Sequence, residues 1–331
     1  MKKNFITRLM VVLLMGIAFS ILFTTNSVQA TSQEQTNSSV NDILASEEKI
    51  MKYDARTNQT TQVDMEELKQ VIALQNTNGL NSNSISPYDP YAKLNLTYKT
   101  MTPFSTKSAD IVNNTYNFPN RVTCRIKSKD KDNISNFGTC AIVGPRVGLT
   151  AAHCVFDSED GNAVLKNWTI YPGCNGYNTS TGDLNYYGIA CGWDTVYYSN
   201  VWMQTHSDQY DWAICVLQSD LGNQLGWFGT YSYATNAELN GMDVKLYGYP
   251  QGKENGYTEE AVFQYTTGEK ITEVGSRYFR YSASVCNGFS GGPITRTSDN
   301  YIVGIHFGKV WDKPTGARIT GEMVDIIRSI S

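Results

Sequence analysis

The chain has 331 residues, of which 41% are hydrophobic and 18% are charged, and its formal net charge is −4 at pH 7. This is enough apolar material for one large core or two medium cores. The weak net charge and the lack of a polybasic stretch exclude the electrostatic surface expected of a nucleic-acid-binding protein.

The first thirty residues predict an export signal. A basic head formed by Lys2, Lys3 and Arg8 precedes an apolar run over 9–23, and small residues follow at 28–30, where a signal peptidase would cleave. A signal anchor is the competing interpretation, but the run is shorter than the ~20 residues of a membrane span. We therefore expect a signal peptide, a secreted protein and no membrane association after the signal is removed.

Residues 31–105 are rich in Asn, Thr, Ser, Gln and Lys and contain no Cys, His or Trp. Such a stretch does not easily bury a core of its own, so it is either a linker or a pro-segment. Apolar residues at 65, 68 and 72 predict one short amphipathic helix. We interpret the stretch as a pro-segment that is poorly ordered or partly helical.

From residue 106 to residue 331 the sequence is typical of an all-β domain. Short β-rich runs are separated by Gly, Asn and Asp, and no helical patterns alternate with them, which favours a sandwich or a barrel. The predicted strands are Arg121–Ile126, Ala141–Val143, Trp168–Tyr171, Val196–Ser199, Trp212–Leu217, Asp243–Tyr247, Ala261–Thr266, Tyr278–Ser282 and Tyr301–Ile305.

The C-terminal tail departs from this pattern. Apolar residues recur there at helical spacing, with acidic residues early and Arg328 late, as the helix dipole favours. The apolar positions are Ile319, Met323, Ile326, Ile327 and Ile330. A closing helix on a β-domain is therefore predicted.

Seven cysteines lie between residues 124 and 286, which fits an oxidising compartment. Because the number is odd, at most three intrachain disulfides can form. No two of the cysteines form a C-x-x-C pair and the chain has only three histidines, so no metal site is predicted.

One segment, written SVCNGFSGGP, holds Ser290 among three glycines. Glycine lets a backbone adopt positive φ and approach a ligand closely, so the serine is either a presented nucleophile or part of a surface turn. A serine nucleophile needs a base, and histidine is the usual base near neutral pH. The candidates are His153 in LTAAHC, His206 in a polar run typical of a solvated loop, and His306.

A histidine base in turn needs a carboxylate that fixes its tautomer. Asp211 stands at the start of the apolar run DWAICVL, where an unpaired buried carboxylate would be costly. It is either that partner or a cap at the start of a strand.

The three segments LTAAHC, DWAICVL and GFSGGP follow one another over about 140 residues. In this order the chain resembles the chymotrypsin-fold serine peptidases, and within them the bacterial glutamyl endopeptidases related to V8 protease. The resemblance implies two six-stranded antiparallel β-barrels followed by the C-terminal helix. It also implies an endopeptidase that needs no cofactor, acts on protein or peptide substrates and is a monomer.

The resemblance assigns a role to each segment. Ser290 would be the nucleophile, His153 the general base and later acid, and Asp211 the orienting carboxylate. The backbone N–H groups of Gly288 and Ser290 would form the oxyanion hole. The resemblance also implies a disulfide between Cys140 and Cys154. Proximity in the sequence alone suggests Cys174 and Cys191 as a second pair.

His306 corresponds to a residue that lines the primary pocket in the glutamyl-specific families and helps to receive an acidic side chain, although a core histidine is the competing interpretation. In those families the free amino group at the mature N-terminus contributes to the pocket. Cleavage of this chain is therefore expected within 99–107.

Three residues depart from the family pattern. Val285 replaces a hydroxyl residue of the pocket, Phe289 replaces a polar residue that commonly braces the oxyanion loop, and Cys286 lacks its usual partner, so it is either free or bonded to Cys124 or Cys215. Val285 and Phe289 are the basis of an alternative function, a catalytically impaired homologue that acts as a binding or adhesion protein. An ester hydrolase that uses the same site is a further alternative.

Overall fold

Strands dominate the computed structural model, which describes residues 48–75, 83–92, 109–252 and 256–331. The predicted signal peptide and the predicted cleavage region lie outside the described residues. No helix in the described part of the chain has the length and apolar character needed to cross a membrane.

The first sheet has eight strands. In spatial order they are β10, β5, β6, β7, β12, β11, β1 and β2, and all neighbours are antiparallel. Their bounds are β1 Ile50–Asp54, β2 Gln59–Gln62, β5 Thr123–Lys129, β6 Ser135–Gly144, β7 Val147–Thr150, β10 Lys166–Pro172, β11 Trp193–Ser199 and β12 Ala213–Leu217.

The second sheet runs in the order β16, β17, β20, β19, β18, β14, β15 and β4, with β13 and β3 attached beside β19. Their bounds are β3 Ser84–Ile85, β4 Asp110–Ile111, β13 Gly229–Tyr231, β14 Val244–Gly248, β15 Tyr265–Thr267, β16 Ile271–Val274, β17 Tyr278–Tyr281, β18 Pro293–Arg296, β19 Tyr301–Val310 and β20 Lys313–Arg318. A separate hairpin joins β8 Phe156–Asp157 to β9 Ala163–Val164.

Six strands of each sheet are closed by one further bridge. Ile170 on β10 pairs with Cys191 just before β11, and Asp243 just before β14 pairs with Lys270 just before β16. Two six-stranded antiparallel barrels result, as the sequence predicts. Closure matters because it pairs strand edges that would otherwise be exposed.

The α-helices are short. They are α1 Met65–Gln75, α2 Asn200–Thr205, α3 Leu221–Leu225, α4 Asn236–Leu239 and α5 Gly321–Ser329. The predicted closing helix is present as α5, which begins where the Thr320 side chain accepts a hydrogen bond from the Met323 N–H. Its apolar face is buried, because Met323, Val324, Ile326 and Ile327 are fully enclosed.

The N-terminal segment, defined here as the described residues between 49 and 92, packs on the barrels. Strand β1 pairs along its whole length with β11, and α1 packs against α5. Tyr88 and Trp227 exchange two backbone hydrogen bonds of 2.9 Å, and the Asp89 carboxylate pairs with the buried Arg121 guanidinium. The predicted helix is therefore present, but the two strands that precede it were not predicted. Lys49–Ser331 form one compact unit.

Candidate active site

Strand pairing brings His153 and Asp211 together. Thr150 at the end of β7 lies opposite Ala213 at the start of β12, so the residues after β7 meet those before β12. His153 follows β7 in a short 3₁₀ turn, and its Nδ1 lies 2.5 Å from Asp211 Oδ2. The His153 backbone N–H also donates to Asp211 Oδ1 at 3.0 Å. The carboxylate thus holds both the ring and the backbone of this histidine.

The pair has a marked electrostatic character. The Asp211 side chain is 6% exposed and the His153 side chain 32% exposed, so the acid is enclosed while one edge of the ring is open. Burial lowers the pKa of His153, but the charge of Asp211, the neighbouring Cys154 and the hydrogen bonds to both together raise it by more, and the net pKa is well above its ordinary value of 6.5. With Nδ1 directed at the carboxylate, Nε2 is the ring nitrogen available for chemistry.

Ser290 lies in a loop before β18 that packs against the turn carrying His153. Gly291 has φ of 80°, and a Cβ atom there would lie 2.1 Å from Thr150 Oγ1. Gly288 has φ of 93°, and a Cβ atom there would lie 2.2 Å from the Tyr249 carbonyl oxygen. Both positions therefore need glycine for conformation and for space.

The loop leaves two amides unpaired within the described part of the chain. The N–H groups of Gly288 and Ser290 donate no hydrogen bond there, whereas the N–H of Phe289, between them, donates to the Cys286 carbonyl at 3.3 Å. Buried backbone donors without partners are rare. Two such N–H groups on one loop are suited to binding an oxyanion. The Ser290 hydroxyl makes no hydrogen bond to His153 among the described residues. Contacts of this type are often long before a substrate binds.

His306 lies directly across from the serine loop. The Gly291 N–H donates to the His306 carbonyl at 2.8 Å, and the His306 N–H donates to the Gly292 carbonyl at 2.9 Å. The His306 ring is 1% exposed, and its Nδ1 is 2.8 Å from the Tyr281 hydroxyl.

The buried His306 ring is neutral at physiological pH. Its pKa falls to about 3, because burial and, to a smaller extent, the charge of His153 lower it by more than the backbone of Thr315 raises it. This position is compatible with a pocket wall and with a core histidine.

Two of the three departures from the family pattern are buried. Val285 and Phe289 belong to the core cluster of the second barrel, together with residues such as Phe279 and Ile294, and Phe289 is 0% exposed. Full burial of a phenylalanine side chain contributes about 1.5–3 kcal/mol to folding. The Phe289 side chain therefore anchors the serine loop by packing rather than by hydrogen bonds.

No disulfide joins any of the seven cysteines in the structure, so the predicted disulfide between Cys140 and Cys154 is not present in it. The Cys154 sulfur fills the space beside Gly138, whereas the Cys140 sulfur packs beside Gly148. Burial and the neighbouring thiols raise the pKa of Cys140 well above its ordinary value.

The other pairs of thiols follow the same pattern. Cys174, Cys191 and Cys286 likewise take part in no disulfide. Cys124 stands opposite Cys140 across β5 and β6 as a second thiol.

His206 lies outside the site, as predicted for a loop residue. It ends α2 with φ of 50°, its ring is exposed, and Nε2 is 2.8 Å from Asn162 Oδ1. A cleft of about 290 Å³ opens beside His153, lined by residues that include Phe137, Gly138 and Leu165.

Comparison with known proteins identifies the family. The model for a trypsin-like peptidase domain matches residues 138–305, just over half of the chain and all three segments of the site. The chain belongs to the trypsin-like peptidases. The family predicted from the sequence is thereby confirmed.

Two relatives of this trypsin-like peptidase come from Bacillus. A protein named glutamyl endopeptidase from Bacillus licheniformis is 28% identical over 230 residues, which cover 65% of this chain but only 64% of the relative. A protein named extracellular metalloprotease from Bacillus subtilis is 26% identical over 283 residues, or 83% of each chain.

A solved structure has the same fold. It is described as Glu endopeptidase in complex with MPD, and it covers 66% of this chain and 94% of its own, with a TM-score of 0.56 and 23% identity. The predicted chymotrypsin-like fold is confirmed by this likeness.

The name of the Bacillus subtilis relative refers to a metal. Within the ranges that the structure describes, no group of three or more His, Cys, Asp or Glu side chains is arranged to hold a metal ion. The described residues therefore do not fit such a site.

Two residues of the site were not assigned a role from the sequence. Tyr281 contacts the ring of His306, and Thr139 on β6 contacts the serine loop. In the sequence, Thr139 is a polar residue at the start of the otherwise apolar run TCAIV, and this position does not reveal its role.

Proposed function

We propose that this protein is a serine endopeptidase that hydrolyses peptide bonds through Ser290, His153 and Asp211. The observation that carries the proposal is the combination of a carboxylate-bound histidine with two unpaired amides on the adjacent serine loop. The family and the fold support the same activity.

The chemistry divides into two acyl transfers. Ser290 Oγ bonds to the substrate carbonyl carbon while its proton passes to His153 Nε2, and the amides of Gly288 and Ser290 bind the oxyanion. The C–N bond then breaks, and His153 returns the proton to the leaving amine, which leaves an acyl-enzyme. Water next bonds to the acyl carbon as His153 takes its proton. Release of the carboxylic acid gives that proton back to Ser290.

Asp211 acts throughout by holding the ring. Its negative charge stabilises the imidazolium that forms in both steps, and its hydrogen bond keeps Nε2 directed at the reacting atoms. The raised pKa of His153 expresses the same attraction.

A phosphonate that reacts with activated serines tests this proposal. We expect one covalent adduct, located on Ser290 by peptide mass spectrometry, together with hydrolysis of a peptide substrate. Ser290→Ala should abolish both, whereas Ser284→Ala, a matched change at an exposed serine of the same loop, should preserve both. A wild-type protein that hydrolyses peptides but carries the adduct elsewhere refutes the assignment. Unlabelled and inactive wild-type protein would favour the impaired homologue.

We further propose a preference for an acidic residue, above all Glu, before the scissile bond. The name of the Bacillus licheniformis relative and the position of His306 beside the serine loop support this preference. A substrate carboxylate in a closed pocket needs a donor or a positive charge. If the Tyr281 hydroxyl donates to His306 Nδ1, the ring proton is on Nε2, where it can serve a substrate.

Cleavage of a peptide library measures this preference. We expect Glu to exceed neutral residues before the cleaved bond, and His306→Ala to reduce the ratio of Glu to Gln cleavage. Val285→Thr, which restores a hydroxyl at its position, should raise that ratio. An unchanged ratio of Glu to Gln cleavage in His306→Ala would show that His306 does not contribute to the specificity pocket.

Secretion and maturation complete the proposal. The sequence of the first thirty residues and the name of the extracellular relative support export. N-terminal sequencing of the active secreted protein should find a start within 99–107. A fully active protein that begins near Thr31 would contradict activation by cleavage.

A further inference from the structure

The serine loop is held from the other barrel. Phe289 next to the nucleophile is buried and apolar, so its side chain cannot form the polar contacts that would orient the neighbouring amides. The polar contacts come instead from Thr139, a fully buried residue of β6.

Thr139 uses every polar atom that it has. Its hydroxyl donates to the Gly288 carbonyl at 2.8 Å and accepts from the Tyr249 N–H at 3.1 Å. Its backbone N–H donates to the Ser290 carbonyl at 2.8 Å, and its carbonyl accepts from Thr150 Oγ1 at 2.7 Å. The residue is thus tied to the serine loop twice and to the strand that leads to His153 once.

The positions of these contacts decide their effect. The Ser290 N–H belongs to the peptide unit between Phe289 and Ser290, and the carbonyls on either side of that unit belong to Gly288 and Ser290. Thr139 binds both carbonyls, the first through its hydroxyl and the second through its N–H. The peptide unit that carries one oxyanion donor is therefore fixed at both ends.

The surroundings of the Thr139 hydroxyl are too closely packed for another polar group to take its place. A Cβ atom at Gly248 would lie 3.1 Å from Thr139 Oγ1 and 2.5 Å from the Phe289 ring, so the wall of the second barrel closes over both residues. If the hydroxyl is removed, the buried Gly288 carbonyl and Tyr249 N–H lose their partner, and the loop is free to turn toward other donors.

We propose that Thr139 is a positioning residue, which orients the Gly288 and Ser290 amides so that they can bind the oxyanion. This inference rests on the proposed peptidase function. A residue of the first barrel, Thr139, would then orient the amides of the second barrel that stabilise the oxyanion.

Steady-state kinetics of Thr139→Val and Thr139→Ser test the inference. Valine keeps the shape and the backbone N–H but removes the hydroxyl, so we expect kcat to fall by about 10- to 100-fold, less than the loss of a donor itself, while KM stays within about twofold. Serine keeps the hydroxyl and should restore most of kcat. The matched control is Thr230→Val, at a buried threonine whose hydroxyl has no partner among the described residues and which should keep wild-type kcat.

A peptide aldehyde provides a second measurement, because its adduct with the serine presents an oxyanion to the same amides. Its affinity should fall by the same factor as kcat in Thr139→Val. Active wild-type protein with a Thr139→Val kcat within twofold of it overturns this inference and leaves the proposed function intact. Equal losses in the serine and valine variants, with a lower Tm in both, also overturn it. Wild-type protein that neither hydrolyses peptides nor reacts at Ser290 overturns the proposed function and this inference with it.

Discussion

Replacing His306 by glutamine should change how the stability of the protein depends on pH. In the folded protein burial keeps this imidazole neutral down to a pKa of about 3, whereas in the unfolded chain it takes up a proton near 6.5. Since the unfolded state binds more protons between these values, the stability that His306 contributes is present above pH 6.5 and is lost as the pH falls toward 3. Each pH unit in that window corresponds to about 1.4 kcal/mol, so the full window contributes on the order of 5 kcal/mol.

The assay is denaturant unfolding in a Ser290→Ala background, which prevents self-digestion, at pH 6.5 and pH 4.5. The difference in unfolding free energy between the protein with His306 and His306→Gln should shrink by about 2 kcal/mol over those two units, because the unfolded imidazole is already half protonated at pH 6.5. His206→Gln, which removes an exposed imidazole, is the matched control and should keep the wild-type dependence. A difference that is the same at both pH values would refute the claim that His306 is folded in its neutral form.

Three further outcomes follow from the geometry of the site and of the N-terminal segment. Gly288→Ala should lower kcat about 100-fold or more in steady-state assays, because a methyl group there meets a main-chain oxygen and turns an oxyanion donor away. In the uncleaved precursor carrying Ser290→Ala, Asp89→Ala should lower the unfolding free energy by roughly 3 kcal/mol in denaturant titrations, because it leaves the guanidinium of Arg121 buried without its carboxylate. The acid limb of the kcat/KM profile should have its midpoint above pH 6.5, because the raised pKa of His153 keeps the base protonated there, and Asp211→Asn should move that midpoint to lower pH. A fully active Gly288→Ala variant would contradict the first prediction, and an unaltered unfolding free energy in Asp89→Ala would contradict the second. A wild-type midpoint of the acid limb below pH 6.5 would contradict the third.

Much of the fold was predictable because the barrel strands are short and apolar. All nine predicted strands overlap observed ones, and the run 261–266 is the main error, since only its end enters β15. Ala261 has φ of 50°, which no regular strand permits, and no residue of that run indicates it. Strands such as β16 and β20 were not predicted, because polar and small residues interrupt their apolar pattern.

The N-terminal segment was the least predictable part. Its polar composition does indicate a segment that cannot fold alone, yet β1 gains its stability from pairing with β11, more than 140 residues away in the sequence. Local composition cannot report such a partner. The ion pair between Asp89 and Arg121 is of the same kind, since each residue on its own is typical of a solvent-exposed loop.

Within the candidate site, short motifs identified the residues and register explains their proximity. The pairing of Thr150 with Ala213 makes the contact between His153 and Asp211 a consequence of strand alignment. Thr139 was not assigned a role, because a buried threonine is common and its partners are backbone atoms, which no side-chain motif records.

The departure at Phe289 weighs less against catalysis than the sequence suggested. A polar residue there would orient the loop through its side chain, but the oxyanion hole needs only that two backbone amides be fixed in direction. In this protein the phenyl ring fixes the loop by burial in the second barrel, and Thr139 fixes the flanking carbonyls. The loop is therefore still held, by the packing of Phe289 and by the hydrogen bonds of Thr139. For this reason Phe289 is no argument for an impaired homologue. The reactivity of Ser290 is then the property that separates the two functions.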